Sequence, residues 1–125
     1  MAASKTTSKK ILICDDEEGV RESLKVILEN EYDLIITTSG EQCLECLKNS
    51  ADVALVFLDI KMPLMGGIEA LTEIKKNYPK LPVVMISGYR SSETAGEMTR
   101  LGARDYVVKP FHSTDILESI KRNLG

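Results

Sequence analysis

Short apolar runs alternate along the chain with longer segments in which apolar residues recur at helical spacing. Such runs, rich in Val, Ile and Leu, predict strands, and the longer segments predict amphipathic helices. The predicted strands are KILICD, DLIITT, VALVFLD, LPVVMIS and DYVVK. The predicted helices are EEGVRESLKVILEN, GEQCLECLKN, GIEALTEIKKN, SETAGEMTRLG and STDILESIKRNL. This succession predicts a doubly wound α/β domain, with a five-stranded parallel sheet, right-handed crossovers and helices on both faces.

Local signals at the element ends agree with this assignment. Ser39, with Gln42 three residues later, forms a capping-box pattern, and Gly102 stands where a helix end favours a left-handed residue. The polar residues 1–9 show no periodicity and are predicted to form a flexible tail. Residues 10–125 are therefore predicted to fold as one domain.

Composition and charge narrow the classes of function. A chain of 125 residues that is 43% hydrophobic can bury a core without disulfides or structural metal. A net charge of −3 gives no basic footprint, so we expect no direct nucleic-acid binding. The sequence contains no apolar stretch long enough for a membrane span and its start does not resemble a signal peptide, so we expect a cytoplasmic protein that does not bind membranes.

The chain has three cysteines, and this odd number without a secretory mark argues against a disulfide framework. Cys43 and Cys46 lie within a predicted helix, and we interpret them, like Cys14, as small buried residues rather than a redox or metal pair. The lone His112 is interpreted as incidental.

The run Val53–Leu58 leads directly into Asp59, which places a carboxylate at the end of a buried strand. An ionised carboxylate is costly there unless it is paired. In an open parallel sheet, ligands bind beyond the carboxyl ends of the strands. Other polar residues follow other predicted strands, namely Asp15 and Asp16, Ser87 and Gly88, and Lys109 and Pro110. We therefore expect a polar site at this edge of the sheet.

These residue types together fit phosphoryl chemistry. Two carboxylates about 4 Å apart repel by about 4 kcal/mol at an effective dielectric constant of about 20, and a divalent cation relieves this repulsion. Hard oxygen ligands without Cys or His favour Mg²⁺, Mn²⁺ or Ca²⁺ over zinc. A lysine and a hydroxyl supply charge and hydrogen bonds to phosphoryl oxygens. Asp59, alone on its strand while Asp15 and Asp16 are paired, is the best candidate nucleophile.

The segments ILICDDEE, VFLDIKMPLMGG, VMISGY and LGARDYVVKPF, in that order and spacing, resemble the receiver domain of bacterial two-component response regulators. The resemblance covers almost the whole chain, from about Lys10 to Leu124. It implies the flavodoxin/CheY-like fold with strand order 2-1-3-4-5. It also implies a signalling switch whose only catalysis is its own phosphoryl acceptance and autodephosphorylation.

The resemblance assigns roles to the acidic residues. Asp59 matches the phosphoacceptor, which takes a phosphoryl group from a sensor histidine kinase, a phosphotransfer protein or a small phosphodonor. Asp15 and Asp16 match the acidic pair that binds the cofactor Mg²⁺ together with Asp59, and the backbone carbonyl of Lys61 matches a further ligand. The side chain at position 61 varies in the family and tunes the lifetime of the acyl phosphate, so Lys61 leaves that lifetime open.

The remaining motif residues match the switch machinery. Ser87 corresponds to the hydroxyl residue that turns toward the phosphoryl group, Lys109 to the lysine that contacts it, and Pro110 implies a cis peptide bond. Tyr106 corresponds to the aromatic switch residue. Pro63, Gly66 and Gly67 match the turn after the third strand, where glycine permits positive φ and close backbone approach.

The resemblance also implies an output surface. We expect Thr94–Leu101, Tyr106 and the helix from Thr114 to mediate homodimerisation or docking of an output partner. The segment SGYRSSETAGEMTRLGA resembles receivers of the nitrogen-regulation type, which favours a module taken from a longer regulator.

Other classes of protein share some of these features. A haloacid-dehalogenase-like phosphohydrolase needs an acid two residues after the nucleophile, where this chain has Lys61. A flavodoxin-like flavin carrier needs a phosphate-binding loop after the first strand, where DDEEG would repel phosphate. An acidic helix start is a further interpretation of Asp15–Glu18. A receiver-like scaffold that acts without phosphorylation remains the main alternative, although no acceptor, acidic or lysine position is lost.

Overall fold

The computed structural model describes residues 9–50, 52–62, 64–88 and 92–124. The strands are β1 Lys10–Cys14, β2 Asp33–Thr37, β3 Val53–Asp59, β4 Val83–Ser87 and β5 Asp105–Val108. The helices are α1 Glu18–Leu28, α2 Gly40–Asn49, α3 Gly67–Asn77, α4 Ser92–Arg100 and α5 Ser113–Leu124. Nearly all of the predicted tail, residues 1–8, lies outside the described residues, as do Pro63 and residues 89–91.

The five strands form one sheet in the order β2-β1-β3-β4-β5, and every neighbouring pair is parallel. This confirms the predicted fold class and strand order. Strand β3 lies at the centre of the sheet. Asp59, its last residue, is therefore flanked by the ends of β1 and β4.

Helices cover both faces of the sheet, which explains why the strands are continuously apolar. Leu58 and Val56 pack in a cluster with residues of α2, α3 and α4, while Phe57 and Leu55 pack in a second cluster with residues of α1 and α5. All four side chains are fully buried. Successive residues of a strand point to opposite faces, so each face requires its own apolar set.

The predicted helix boundaries hold for α2, α3 and α5, and the other two helices are shorter than predicted. The Ser39 hydroxyl accepts the Gln42 backbone N–H at 3.2 Å, as the capping box requires. The Gln42 side chain instead accepts the backbone N–H of Thr38 at 2.8 Å, one residue before the expected partner. Gly102, with φ of +110°, ends the α4 segment as predicted.

The turn between β3 and α3 depends on Gly67. A Cβ atom at this position would lie 2.0 Å from the carbonyl oxygen of Asp59, and the Gly67 N–H donates to the carbonyl of Ile60 at 2.7 Å. Glycine therefore provides the close approach predicted for this turn. The positive φ falls elsewhere, at Leu64 with φ of +63°. None of the helices in the described part of the chain is long and apolar enough to span a membrane.

Candidate functional site

Polar residues from four strand ends meet at the carboxyl edge of the sheet. They surround an open cavity of about 570 Å³. Its lining is Asp16, Glu17, Asp59, Lys61, Met62, Ser87, Gly88 and Lys109. A second cavity of about 450 Å³, near the opposite ends of β3 and β4, is lined mainly by apolar residues and has no carboxylate. The cavity at the carboxyl edge, unlike the second one, therefore combines carboxylates with a lysine and a serine hydroxyl, as expected for this edge of the sheet.

Lys109 lies at the centre of this site. Its Nζ is 2.6 Å from Glu17 Oε1, 3.1 Å from Asp15 Oδ2 and 3.3 Å from Asp59 Oδ1. Its backbone N–H donates to the carbonyl of Ser87 at 2.7 Å, which joins the ends of β4 and β5. One ammonium group therefore serves three carboxylates.

The carboxylates are unequally buried and incompletely satisfied. The side chains of Asp15 and Asp59 are 1% and 4% exposed. Asp15 Oδ1 accepts the Glu17 backbone N–H at 2.8 Å. Asp15 Oδ2 lies within ion-pair distance of Lys109, but it lacks hydrogen-bond geometry with any partner in the described part of the chain. A buried carboxylate oxygen that has an ion pair but no hydrogen bond can accept a further positively charged partner.

A divalent cation fits this deficit. Ligand oxygens of Asp15, Glu17 and Asp59 can all lie within 4.8 Å of one another. Carboxylate oxygens without sulfur or imidazole are ligands for a hard cation such as Mg²⁺. The predicted ligand Asp16 is exposed and lines the same cavity, as does Lys61. The structure thus places Asp15 and Asp59 together with Glu17, while Asp16 and Lys61 line the same cavity.

The protonation equilibria reflect the burial of negative charge. Burial, followed by the charge of Asp15, raises the pKa of Asp59 to about 7, although Lys109 acts in the opposite direction. Burial also raises the pKa of Asp15 above its usual value. Burial alone would lower the pKa of Lys109, but the neighbouring carboxylates outweigh it and raise the pKa, so the lysine is charged.

The predicted switch residues lie beside this cluster. Ser87, the last residue of β4, is 2% exposed and lines the cavity. Tyr106 lies on β5, where it is partly buried against the cluster formed with α2, α3 and α4. The Lys109–Pro110 peptide bond is cis, as the resemblance implied.

Sequence reasoning missed two residues of this site. Glu17 was interpreted only as part of an acidic helix start, and its contact with Lys109 joins residues 92 positions apart. Arg21, one helical turn later, donates from its guanidinium to the backbone carbonyl of Asp15 at 3.0 Å. The arginine lies four residues after Glu17 on α1, so helical periodicity could have placed it near the site.

The cysteines and the histidine take no part in the site. All three cysteines are free thiols; Cys14 and Cys43 are buried as predicted, whereas Cys46 is only partly buried. The Cys14 thiol contacts the carbonyl of Ser39 at 3.2 Å and the sulfur of Met62 at 3.6 Å, as expected of packed core residues. His112 is exposed, and its backbone N–H donates to the Asp115 side chain.

The strand order, together with the carboxylates that surround Lys109 at the carboxyl ends of the strands, defines a doubly wound α/β domain of the CheY-like class. The chain belongs to the response regulator receiver domain family, whose profile matches residues 11–121. It thus belongs to a family of signalling switches in two-component systems.

Individual relatives differ in length. The chain is 36% identical over 118 residues to protein CcdB of Bacillus subtilis (strain 168), covering 93% of this chain and 98% of CcdB. It is 35% identical over 115 residues to the response regulator FleR of Pseudomonas aeruginosa, covering 91% of this chain but 24% of FleR. A CheY-like receiver domain crystal structure from Methanospirillum hungatei JF-1 superposes with a TM-score of 0.87 at 35% identity, covering 94% of each chain. The chain therefore spans nearly all of some relatives and about a quarter of others.

Proposed function

We propose that this chain, folded over residues 10–125, is a phosphorylation switch of a cytoplasmic two-component pathway, and that Asp59 is its phosphoacceptor. The observation that carries the proposal is the position of Asp59. It ends the central strand, opens into the cavity and lies 3.3 Å from Lys109. The buried strand thus presents one carboxylate, with a cationic partner, to an approaching phosphodonor.

In the proposed reaction, an Asp59 carboxylate oxygen attacks the phosphorus atom of a phosphohistidine on a sensor kinase or phosphotransfer protein. The oxygen–phosphorus bond forms while the phosphorus–nitrogen bond breaks, and the electron pair returns to the imidazole nitrogen of the donor. Lys109 neutralises charge on the phosphoryl oxygens, and the Ser87 hydroxyl donates a hydrogen bond to them. Hydrolysis of this acyl phosphate would reset the switch.

Mg²⁺ is the proposed cofactor. Asp15, Asp16, Asp59 and the backbone carbonyl of Lys61 are the proposed ligands. Bound there, the cation would supply positive charge that offsets the buried carboxylates and the phosphoryl oxygens. The unsatisfied Asp15 Oδ2 supports this assignment. The exposure of Asp16 leaves room for water in the coordination shell, which Mg²⁺ usually retains.

The output proposal concerns the face formed by α4, β5 and α5, on which Tyr106 lies. A phosphoryl group adds charge and three acceptor oxygens, and movement of Ser87 and Lys109 toward it would shift the equilibrium between two conformations of Tyr106. We propose that this face mediates homodimerisation or binds an output partner.

The acceptor is tested by incubating the protein with Mg²⁺ and acetyl phosphate and measuring its intact mass. Wild type should gain one phosphoryl group, whereas Asp59→Asn should gain none. Asp52→Asn, at an exposed aspartate in an ion pair with Lys10, is the matched control and should be phosphorylated like wild type. Equal labelling of wild type and Asp59→Asn would exclude Asp59. No labelling of either would favour the phosphorylation-independent scaffold.

The output face is tested by charge reversal of Glu118, an exposed residue one turn before Arg122 on α5. Glu118→Arg should reduce phosphorylation-dependent self-association, measured by sedimentation, while the rate of phosphorylation by acetyl phosphate is unchanged. An equal loss of both properties would contradict this assignment.

A further inference from the structure

Glu17 has an unusual environment for a residue that begins a helix. It occupies the N-cap position of α1, but its side chain makes no capping hydrogen bond. The usual N-cap residues are Ser, Thr, Asp and Asn, whose short side chains accept a backbone N–H of the first turn. The Glu17 carboxylate instead contacts Lys109 at 2.6 Å, the shortest of the three ion pairs of that lysine. The Glu17 side chain thus makes a long-range contact with the candidate phosphoryl site and takes no part in capping the helix.

We propose that Glu17 is a positioning residue that holds Lys109 in the resting protein and competes with the phosphoryl group for its ammonium. This inference rests on the proposed function. An ammonium group has three N–H donors, and in this structure three carboxylates surround it. A phosphoryl group on Asp59 brings new acceptor oxygens to the same donors. Glu17 and the phosphoryl oxygens would therefore compete for the same ammonium group.

The three carboxylates differ in how readily they can give up the lysine, because they differ in exposure. The Glu17 side chain is 61% exposed, against 1% for Asp15 and 4% for Asp59. An exposed carboxylate regains water when its ion pair breaks, so the pair contributes little and breaks readily. A buried carboxylate that loses its cation is left uncompensated. Glu17 is consequently the partner that yields, and its affinity for the lysine opposes phosphoryl binding.

The competing interpretation treats Glu17 as a metal ligand, because its oxygens lie close to those of Asp15 and Asp59. Asp15 and Asp59, the proposed Mg²⁺ ligands, contact Lys109 as well, so this contact does not by itself separate the two interpretations. The two interpretations predict opposite effects of Glu17→Gln. Loss of a ligand would weaken both Mg²⁺ and phosphoryl binding, whereas release of the lysine would strengthen phosphoryl binding.

Beryllofluoride, a stable phosphoryl mimic, measures this effect at equilibrium. We would titrate it at saturating Mg²⁺ and follow bound fluoride by ¹⁹F NMR. Glu17→Gln should bind about two- to five-fold more tightly than wild type, the range expected on losing an exposed ion pair. Glu18→Gln removes the same charge from the next residue, also exposed on the first turn of α1, and should change the affinity much less.

A double-mutant cycle separates competition for the lysine from simple repulsion of the anion. In a Lys109→Met background, Glu17→Gln should no longer strengthen beryllofluoride binding, whereas direct repulsion would persist without the lysine. A second measurement covers the case in which Lys109→Met binds too weakly. The ¹³Cε signal of Lys109 should move on beryllofluoride binding in wild type, and Glu17→Gln without beryllofluoride should already be shifted in the same direction.

The outcomes distinguish this inference from the proposed function. Binding that Asp59→Asn abolishes but Glu17→Gln leaves unchanged would overturn the inference alone. Weaker beryllofluoride and Mg²⁺ binding by Glu17→Gln would overturn it in favour of a metal ligand. Undiminished binding by Asp59→Asn, or none by wild type, would overturn the proposed function and this inference together.

Discussion

Two aspartates of the same sheet lie in opposite electrostatic environments. Asp59, at the carboxyl end of β3, shares Lys109 with two other carboxylates. Asp105, at the start of β5, is surrounded by donors. It accepts the Ser119 hydroxyl at 2.8 Å, the Arg122 guanidinium at 2.6 Å and the Tyr106 backbone N–H at 2.9 Å.

Their pKa values reflect this difference. Burial raises the pKa of Asp59 to about 7. Burial also acts to raise the pKa of Asp105, but the hydrogen bonds from Arg122 and Ser119 outweigh it and lower the pKa. The fold thus provides Asp105 with three hydrogen-bond donors, whereas Asp59 shares a single cation with two other carboxylates. A site that the fold leaves unsatisfied is one that a ligand can complete.

The largest effect on stability is expected from a substitution that displaces the turn after Asp59. In Gly67→Ala, the new Cβ would clash with the carbonyl of Asp59, so the β3–α3 turn must shift. We expect a loss of about 3–4 kcal/mol in the free energy of unfolding, measured by urea denaturation. Gly96→Ala is the control: Gly96 is an exposed residue of α4, and an added Cβ would meet nothing within 4 Å beyond its own stretch of helix. We expect a gain of about 0.5–1 kcal/mol. Equal effects of both substitutions would contradict the tight approach.

Substitution of Asp105, whose carboxylate accepts three hydrogen bonds, should have the next largest effect on stability. Asp105→Ala leaves the Ser119 hydroxyl, which is fully buried, without this acceptor and separates Arg122 from its partner. We expect a loss of about 2–3 kcal/mol in the free energy of unfolding. Asp52→Ala, which removes an exposed ion pair with Lys10, should leave the urea midpoint within experimental error. A similarly small effect of Asp105→Ala would mean that its hydrogen bonds contribute little.

Removing the charge of Asp59 should instead increase the free energy of unfolding. At pH 8 without divalent cations, the raised pKa of Asp59 makes the ionised form unfavourable, and Asp59→Asn removes that charge. We expect a gain of about 1–2 kcal/mol in the free energy of unfolding, less than the pKa alone implies because the buried Asn amide also needs hydrogen-bond partners.

Mg²⁺ provides the control for this comparison. It should stabilise wild type more than Asp59→Asn, since the variant lacks one proposed ligand. Thermal unfolding with and without Mg²⁺ measures both quantities. Destabilisation of the metal-free protein by Asp59→Asn would contradict the proposed electrostatic difference between Asp59 and Asp105.

The fold was largely predictable from the sequence because its signals are local. Continuous apolar runs such as Val53–Leu58 and helical spacing in the segments between them specify the layers. The ends of α1 were less well placed, because its flanking residues, Glu17 and Glu29, are acidic residues that carry no strong stop signal.

The residues of the site were predictable from the strand-end rule, but their pairing was not. Sequence placed Asp59 and Lys109 at one edge of the sheet, and the structure shows them 3.3 Å apart. Glu17 escaped detection because its side chain turns away from helix capping toward a residue far along the chain. Such a contact depends on side-chain conformation after the strands have come together, which no local pattern encodes.

The smallest expected effect is a pH dependence specific to Asp105. Its folded-state pKa is lowered, so its ionised form stabilises the fold above the unfolded-state pKa of about 3.9. That contribution is lost as the pH falls through the folded-state pKa. The difference in unfolding free energy between wild type and Asp105→Asn should therefore be constant from about pH 7 to pH 5 and shrink below about pH 4. Urea denaturation at a series of pH values measures it. A difference that grows with acidification would mean that burial, rather than the three donors, dominates at Asp105, and the contrast with Asp59 would disappear.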